Sequence, residues 1–119
     1  MSRTSFDLIT IDTPNTDALA TFWSHAMDLH ETEREDIDRW IVLSDTSGVR
    51  QLGFQRGVRG AGAIHLDLSC ALADFDAERE CLLQLGATET REPRTESYGR
   101  IANLADPDGN LFDLCAYVS

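Results

Sequence analysis

Residues 6–12 alternate apolar and polar side chains and are rich in β-formers, which predicts a half-buried strand. Pro14-Asn15-Thr16-Asp17 follows, with the chemistry of a turn and a helix N-cap. Leu19, Phe22, Trp23 and Ala26 then line one face of an amphipathic helix over about 16–27. Three short strands are predicted after it, at about 29–34, 39–43 and 51–55, with the turn Asp45-Thr46-Ser47-Gly48 between the last two.

The same order begins again at Ala63. Ile64, Leu66 and Leu68 alternate with His65, Asp67 and Ser69, which predicts a strand. A helix over about 72–85 places Leu72, Phe75, Leu82 and Leu83 near one face, turns Asp74, Asp76, Glu78 and Glu80 to solvent, and stops at Gly86. Strands at about 88–90, 100–104 and 111–118 complete the set, with the turn Asp106-Pro107-Asp108-Gly109 before the last. Strand, helix and three strands therefore occur twice, and Asp-x-x-Gly opens the final strand of each half.

This order predicts one α+β domain of two βαβββ modules: module one at about 1–56, a glycine-rich linker at about 57–62 and module two at about 63–119. Each half is too small to bury a sheet face alone. Two curved sheets with their helices on the outer face solve this and enclose a cup. The linker glycines are not in the order of a phosphate-binding loop.

Composition narrows the chemistry. The net charge is −11, and all ten basic residues are arginine. An acidic chain without lysine excludes a Schiff-base lysine and a P-loop lysine, and argues against nucleic acid or an anionic membrane as partner. Cys70, Cys81 and Cys115 form no Cys-x-x-Cys pair and read as free thiols, small apolar side chains in a reducing compartment. With no signal core at the start and no apolar run long enough to span a bilayer, the expected location is cytoplasmic.

Strand alternation also sorts the candidate site. Where Ile64, Leu66 and Leu68 face the helix, His65, Asp67 and Ser69 face the cup; where Phe112 and Leu114 face the helix, Asp113, Cys115 and Tyr117 face inward. In module one Leu52 and Phe54 turn to the helix, and Gln51, Gly53 and Gln55 turn inward. A histidine beside two carboxylates on neighbouring strands marks a candidate ligand site. The same groups can equally form a purely structural hydrogen-bonded network. Gln55 and Trp40 are further candidates, one for its carboxamide and one for its flat face. His25 and His30, at a helix end, are read as structural.

Ile11-Asp12-Thr13-Pro14-Asn15-Thr16-Asp17-Ala18-Leu19-Ala20-Thr21-Phe22-Trp23, Ile64-His65-Leu66-Asp67-Leu68 and Ala105-Asp106-Pro107-Asp108-Gly109-Asn110-Leu111-Phe112-Asp113-Leu114 together resemble the glyoxalase-like domains of the vicinal-oxygen-chelate superfamily, which includes bleomycin-resistance proteins and extradiol dioxygenases. The resemblance implies a cup that holds a small molecule, a divalent metal in the enzymes, and a homodimer. The metal positions it implies fall at Leu8 and His65 on the first strand of each module, and near Gly53 and at Asp113 on the last. Only His65 and Asp113 can ligate there; Gln55, two residues beyond Gly53, is a poor ligand for a transition metal. The expectation is a protein that binds a small organic ligand through His65, Asp67, Asp113, Gln55 and Trp40, with no catalytic metal and no other cofactor. The alternative is a metal-dependent lyase, isomerase or dioxygenase using His65 and Asp113. A ligand held by His65 is expected to bind with an affinity that changes between about pH 5 and 8, where an ordinary histidine titrates.

Overall fold

The computed structural model describes residues 2–59, 63–107 and 109–118. Gly60, Ala61 and Gly62 of the expected linker and Asp108 of the Asp-Pro-Asp-Gly motif lie outside the described residues. The chain forms two compact units: Leu8–Ile64, and His65–Ser119 together with the chain up to Asp7. Among the described residues there are eight strands and two α-helices, arranged as the expected pair of βαβββ modules.

In the first unit, β1 (Ser5–Thr13, of which 8–13 belong here) leads into α1 (Thr16–Met27), then β2 (His30–Glu35), β3 (Trp40–Ser44) and β4 (Arg50–Arg56). The strands lie in the order β2-β3-β4-β1, with β1 and β4 parallel and the other pairs antiparallel. Asn15 caps α1 by accepting the Ala18 amide at 3.3 Å. Ile41, Leu43, Leu52 and Phe54 of the sheet pack with Ala20 and Leu29, and Leu19 and Trp23 of the helix join them.

The second unit repeats this path. β5 (Ile64–Ser69) is followed by a 3-10 turn (Leu72–Asp74), α2 (Phe75–Gln84), β6 (Thr88–Glu96), β7 (Gly99–Ala105) and β8 (Leu111–Tyr117). The strand order is β5-β8-β7-β6, again with one parallel pair, β5 and β8. Phe75 is fully buried against Ala102, Leu104, Leu114 and Ala116. The two alanines let the helix approach the sheet closely.

The repeat extends to single hydrogen bonds. Asp45 accepts the Gly48 amide at its backbone and the Val49 amide at its side chain, both at 2.9 Å; Asp106 does the same with Gly109 and Asn110, at the same distance. Gly48 and Gly109 have φ of 86° and 87°. Both helices end with an amide bonded five residues back, Leu29 to Ser24 and Ala87 to Leu82, each at 3.0 Å. The left-handed residue at this stop is Gly86 in α2 but Asp28 in α1.

Several expectations are corrected. β6 continues to Glu96, well beyond residue 90, because two irregularities in its pairing with β7 break the alternation that marks a strand. The first turn of the second helix is 3-10. Glu78 is buried, 7% exposed, because it accepts the Arg3 amide at 2.5 Å and the Ser2 hydroxyl at 3.3 Å, fastening the N-terminal residues to α2. Ile64 and Leu66 are exposed, and of the three apolar β5 residues only Leu68 packs with the α2 cluster, which centres on β7 and β8. The outer strands carry protective chemistry: β2 reads His-Glu-Thr-Glu-Arg-Glu, and β6 holds Pro93 among charges.

The matched helix stops yield a stability prediction. Asp28 adopts φ of 53° and pays the steric cost of a left-handed Cβ, whereas Gly86 does not. Asp28→Gly is expected to stabilise the fold by about 0.5 kcal/mol, and Gly86→Ala to destabilise it by about 1 to 2 kcal/mol, read by thermal denaturation. Equal melting temperatures for both variants and the parent would refute the shared cap geometry.

Candidate functional site

The face of the second sheet that α2 leaves uncovered carries the chemistry. His65 and Asp67 sit two residues apart on β5 and so share a face. β8 runs parallel beside it and places Asp113 opposite Asp67. His65 Nε2 lies 3.3 Å from Asp113 Oδ2 and 3.5 Å from Asp67 Oδ1. The three side chains are only 14%, 10% and 19% exposed, so their mutual attraction is weakly screened while solvent still reaches them.

Two carboxylates in adjacent register repel each other unless a positive group lies between them. The imidazole is that group. Hydrogen bonds to Asp113 and then to Asp67 raise the pKa of His65 to about 10, overcoming the opposing effect of burial. His65 is therefore an imidazolium throughout the neutral range. This moves the expected pH window from about 5 to 8 to the alkaline side, because the sequence shows the histidine but not the distance to its two acids.

The sheet extends the network. Asn103 on β7 is paired with Asp113 and donates Nδ2–H to Asp113 Oδ1 at 2.6 Å. Arg94 on β6 donates from Nη1 to Asn103 Oδ1 at 2.5 Å. Neither residue was singled out from the sequence. The available signal was a lone amide inside the apolar run Ile101–Ala105.

Other polar groups on this face are quiet. The buried Cys115 thiol is pushed up to about 12, first by burial and then by the nearby Asp67 and Asp113 charges. It is not a thiolate at neutral pH, which supports the reading of this cysteine as a packed small residue. Burial likewise pushes the Tyr98 phenol up to about 12. Tyr117 donates its hydroxyl to Asp7 at 2.8 Å.

Trp40 and Gln55, the remaining candidates, are direct neighbours across β3 and β4 of the first unit. The Trp40 indole covers Gly53, where a Cβ would collide with its ring. Its Nε1 donates to Glu33 at 3.2 Å, and Arg50 donates to the other Glu33 oxygen at 3.1 Å. Gln55 is exposed at the end of this row. The two first-unit metal positions that the resemblance implies thus hold a fully buried Leu8 and a glycine beneath an indole. Neither offers a donor. In the second unit one ligand atom each from His65, Asp67 and Asp113 lies within 4.8 Å of the others, the sole such cluster of three among the described residues. An imidazole nitrogen and two carboxylate oxygens meet the minimum for a divalent cation with an open position, and Asp67 supplies the third ligand that family positions alone do not.

The duplicated βαβββ frame is the fold that the sequence resemblance implies. Residues 8–115 match the family model described as a glyoxalase-like domain, and the chain belongs to that family. No curated protein sequence matches it. Among solved structures it is similar to a methylmalonyl-CoA epimerase from Streptomyces coelicolor, at 23% identity and TM-score 0.66 over 99% of this chain and 100% of that one. A methylmalonyl-CoA epimerase from Mycobacterium tuberculosis gives 18% identity and TM-score 0.69 over 100% and 92%. A Mn(II)-bound glyoxalase from Novosphingobium aromaticivorans gives 18% and 0.70 over 98% of this chain and 40% of that one. These likenesses establish the fold. No helix among the described residues is long and apolar enough to cross a membrane.

The raised pKa of His65 fixes the sign of a pH effect. A folded-state value of about 10 against 6.5 when unfolded contributes stability that is complete below pH 6.5 and lost as pH rises through 10. The stability gap between the parent and His65→Gln, measured by urea unfolding, is expected to be constant from pH 5 to 6 and to shrink steadily from about pH 7 to 10. A gap that stays flat over that interval would show that the imidazole is neutral in the fold.

Proposed function

We propose that this protein binds a small neutral or cationic molecule, rich in hydrogen-bond donors, on the face formed by His65, Asp67 and Asp113, and does so without a resident transition metal. The carrying observation is the convergence of these three ionisable groups, slightly exposed, on the sheet face opposite the one that α2 packs against. A site of one imidazolium and two carboxylates holds a net charge of −1. It favours amines and hydroxyls, whose donors the carboxylate oxygens accept, and it repels carboxylates and phosphates. The chain's overall charge of −11 acts in the same direction.

A second reading rests on the spacing of the ligand atoms, within 4.8 Å of one another. A divalent cation held by His65, Asp67 and Asp113 in place of the imidazolium proton would bring the site to neutrality. Such an ion, when bound, polarises two adjacent oxygens of a ligand, the chemistry from which the superfamily takes its name. Asp67, Asp113 and a deprotonated His65 would then orient the ion, and the ligand class would change from amines to paired oxygens.

One experiment separates the readings. The protein is screened by NMR against amine, polyol and carboxylate fragments, with and without Mn²⁺, and its metal content is measured after purification without chelators. Binding of amines or polyols without metal, lost in His65→Ala and in Asp113→Ala while circular dichroism is unchanged, is the expected result. About one equivalent of metal per chain, or carboxylate binding that needs Mn²⁺, would establish the second reading instead. Undiminished binding in both variants would place the ligand elsewhere.

A further inference from the structure

The geometry points to Asn103 and Arg94 as positioning residues that select which oxygen of Asp113 faces His65. The inference deepens the proposed function by naming the groups that hold its site in register.

It begins with the pleat. On β7 the odd-numbered residues Ile101 and Asn103 face the site, while Ala102 and Leu104 face α2. On β6, Arg91 is paired with Asn103 and so shares its face. Strict alternation would then turn Arg94, three residues on, to the helix side. Instead Arg94 is paired with Ile101: three steps on β6 match two on β7. The extra residue is a bulge at Glu92-Pro93, and Pro93 has no amide to give to a ladder. The bulge returns Arg94 to the site face, where it meets Asn103.

The chemistry of the contacts then determines the amide. A guanidinium only donates, so Arg94 must face Asn103 Oδ1. A carboxylate only accepts, so the Asn103 Nδ2 must face Asp113. Both ends require the same orientation. With Oδ1 of Asp113 engaged by Asn103 at 2.6 Å, its Oδ2 is left directed at His65 Nε2 at 3.3 Å. Rotation about χ2 of an aspartate is soft, and nothing in the residue itself selects one oxygen. The chain Arg94, Asn103, Asp113, His65, Asp67 crosses all four strands from the edge inward. Arg94 is tied in turn to Glu96 at 3.2 Å, which limits its own freedom.

The test uses the full chain labelled with nitrogen-15 and needs no ligand. At pH 7 the Nε2–H proton of His65 is expected to be visible and protected from exchange with water. Asn103→Leu is expected to abolish that signal, and Arg94→Met to weaken it, with exchange at least about ten times faster, comparable to the cost of removing a supporting shell. Arg94→Lys, which keeps a donor, should retain most of it. Arg100→Met removes an equal charge from the same sheet, but Arg100 stacks on Phe75 and pairs with Asp76 on the helix side, so the signal should not change. Backbone amide spectra confirm folding; should Asn103→Leu not fold, Arg94→Met decides. A signal unaltered in both variants, altered equally by Arg100→Met, or missing in the parent overturns the inference. If the signal responds as expected but amines and polyols do not bind, the proposed function fails and the positioning stands.

Discussion

Asp67 and Asp113 stand opposite each other on the parallel strands β5 and β8, on the face that α2 does not cover. Two negative charges in that register, mostly shielded from water, would destabilise the sheet if left alone. His65, two residues before Asp67 and pointing the same way, places its Nε2 within reach of both. The placement follows from the period of the strand, and the imidazolium from the placement. The rest of the site is arranged around keeping this pair of acids and one base aligned, because a carboxylate free to rotate would break the balance of charge.

The two units share a scaffold down to their turn hydrogen bonds, yet their uncovered faces differ in chemistry. In the first unit the equivalent face holds Leu8, Thr10, Val42 and Ser44, all buried, and the Trp40 ring lying on Gly53. Glu33 is shared between the Trp40 nitrogen and Arg50. In the second unit the positions of Leu8, Thr10 and Gly53 carry His65, Asp67 and Asp113. Duplication supplies the frame twice, and the frame needs only its helix-facing positions to be apolar. The other face is released from that demand, so the copies can diverge there without loss of fold.

Periodicity made most of the fold legible. α1, β8 and the two Asp-x-x-Gly turns were readable because each has a strong local signal, an apolar stripe, an alternating run or a glycine with positive φ. β6 was read short because its bulges around Arg91 and Pro93 break the period. Glu78 was read as solvated because its partners, Ser2 and Arg3, are distant in sequence. The site divides in the same way. His65, Asp67 and Asp113 could be grouped, since alternation and strand order decide which side chains share a face. Asn103 and Arg94 could not, since their part depends on pairing register and on a bulge. The distances that turn an ordinary histidine into an imidazolium are likewise a tertiary property.

Charge connects this site to the diversity of its family. The same three donors present a net −1 when a proton lies among them and neutrality when a divalent cation replaces it. In the first state an anionic ligand would meet a net negative charge; in the second it would meet a Lewis acid. A fold shared with methylmalonyl-CoA epimerases therefore does not carry their ligand class to this chain. What decides is whether enough donors surround a cation to outcompete the proton on His65. Leu8 and Gly53, at the module-one positions the resemblance implies, offer no donor and would favour the proton, while the carboxylate of Asp67 would favour a cation. Because Asp67 and Asp113 raise the proton affinity of His65 as they raise cation affinity, the two effects partly cancel. A cation placed there would have to displace a proton held by the same carboxylates that would bind it.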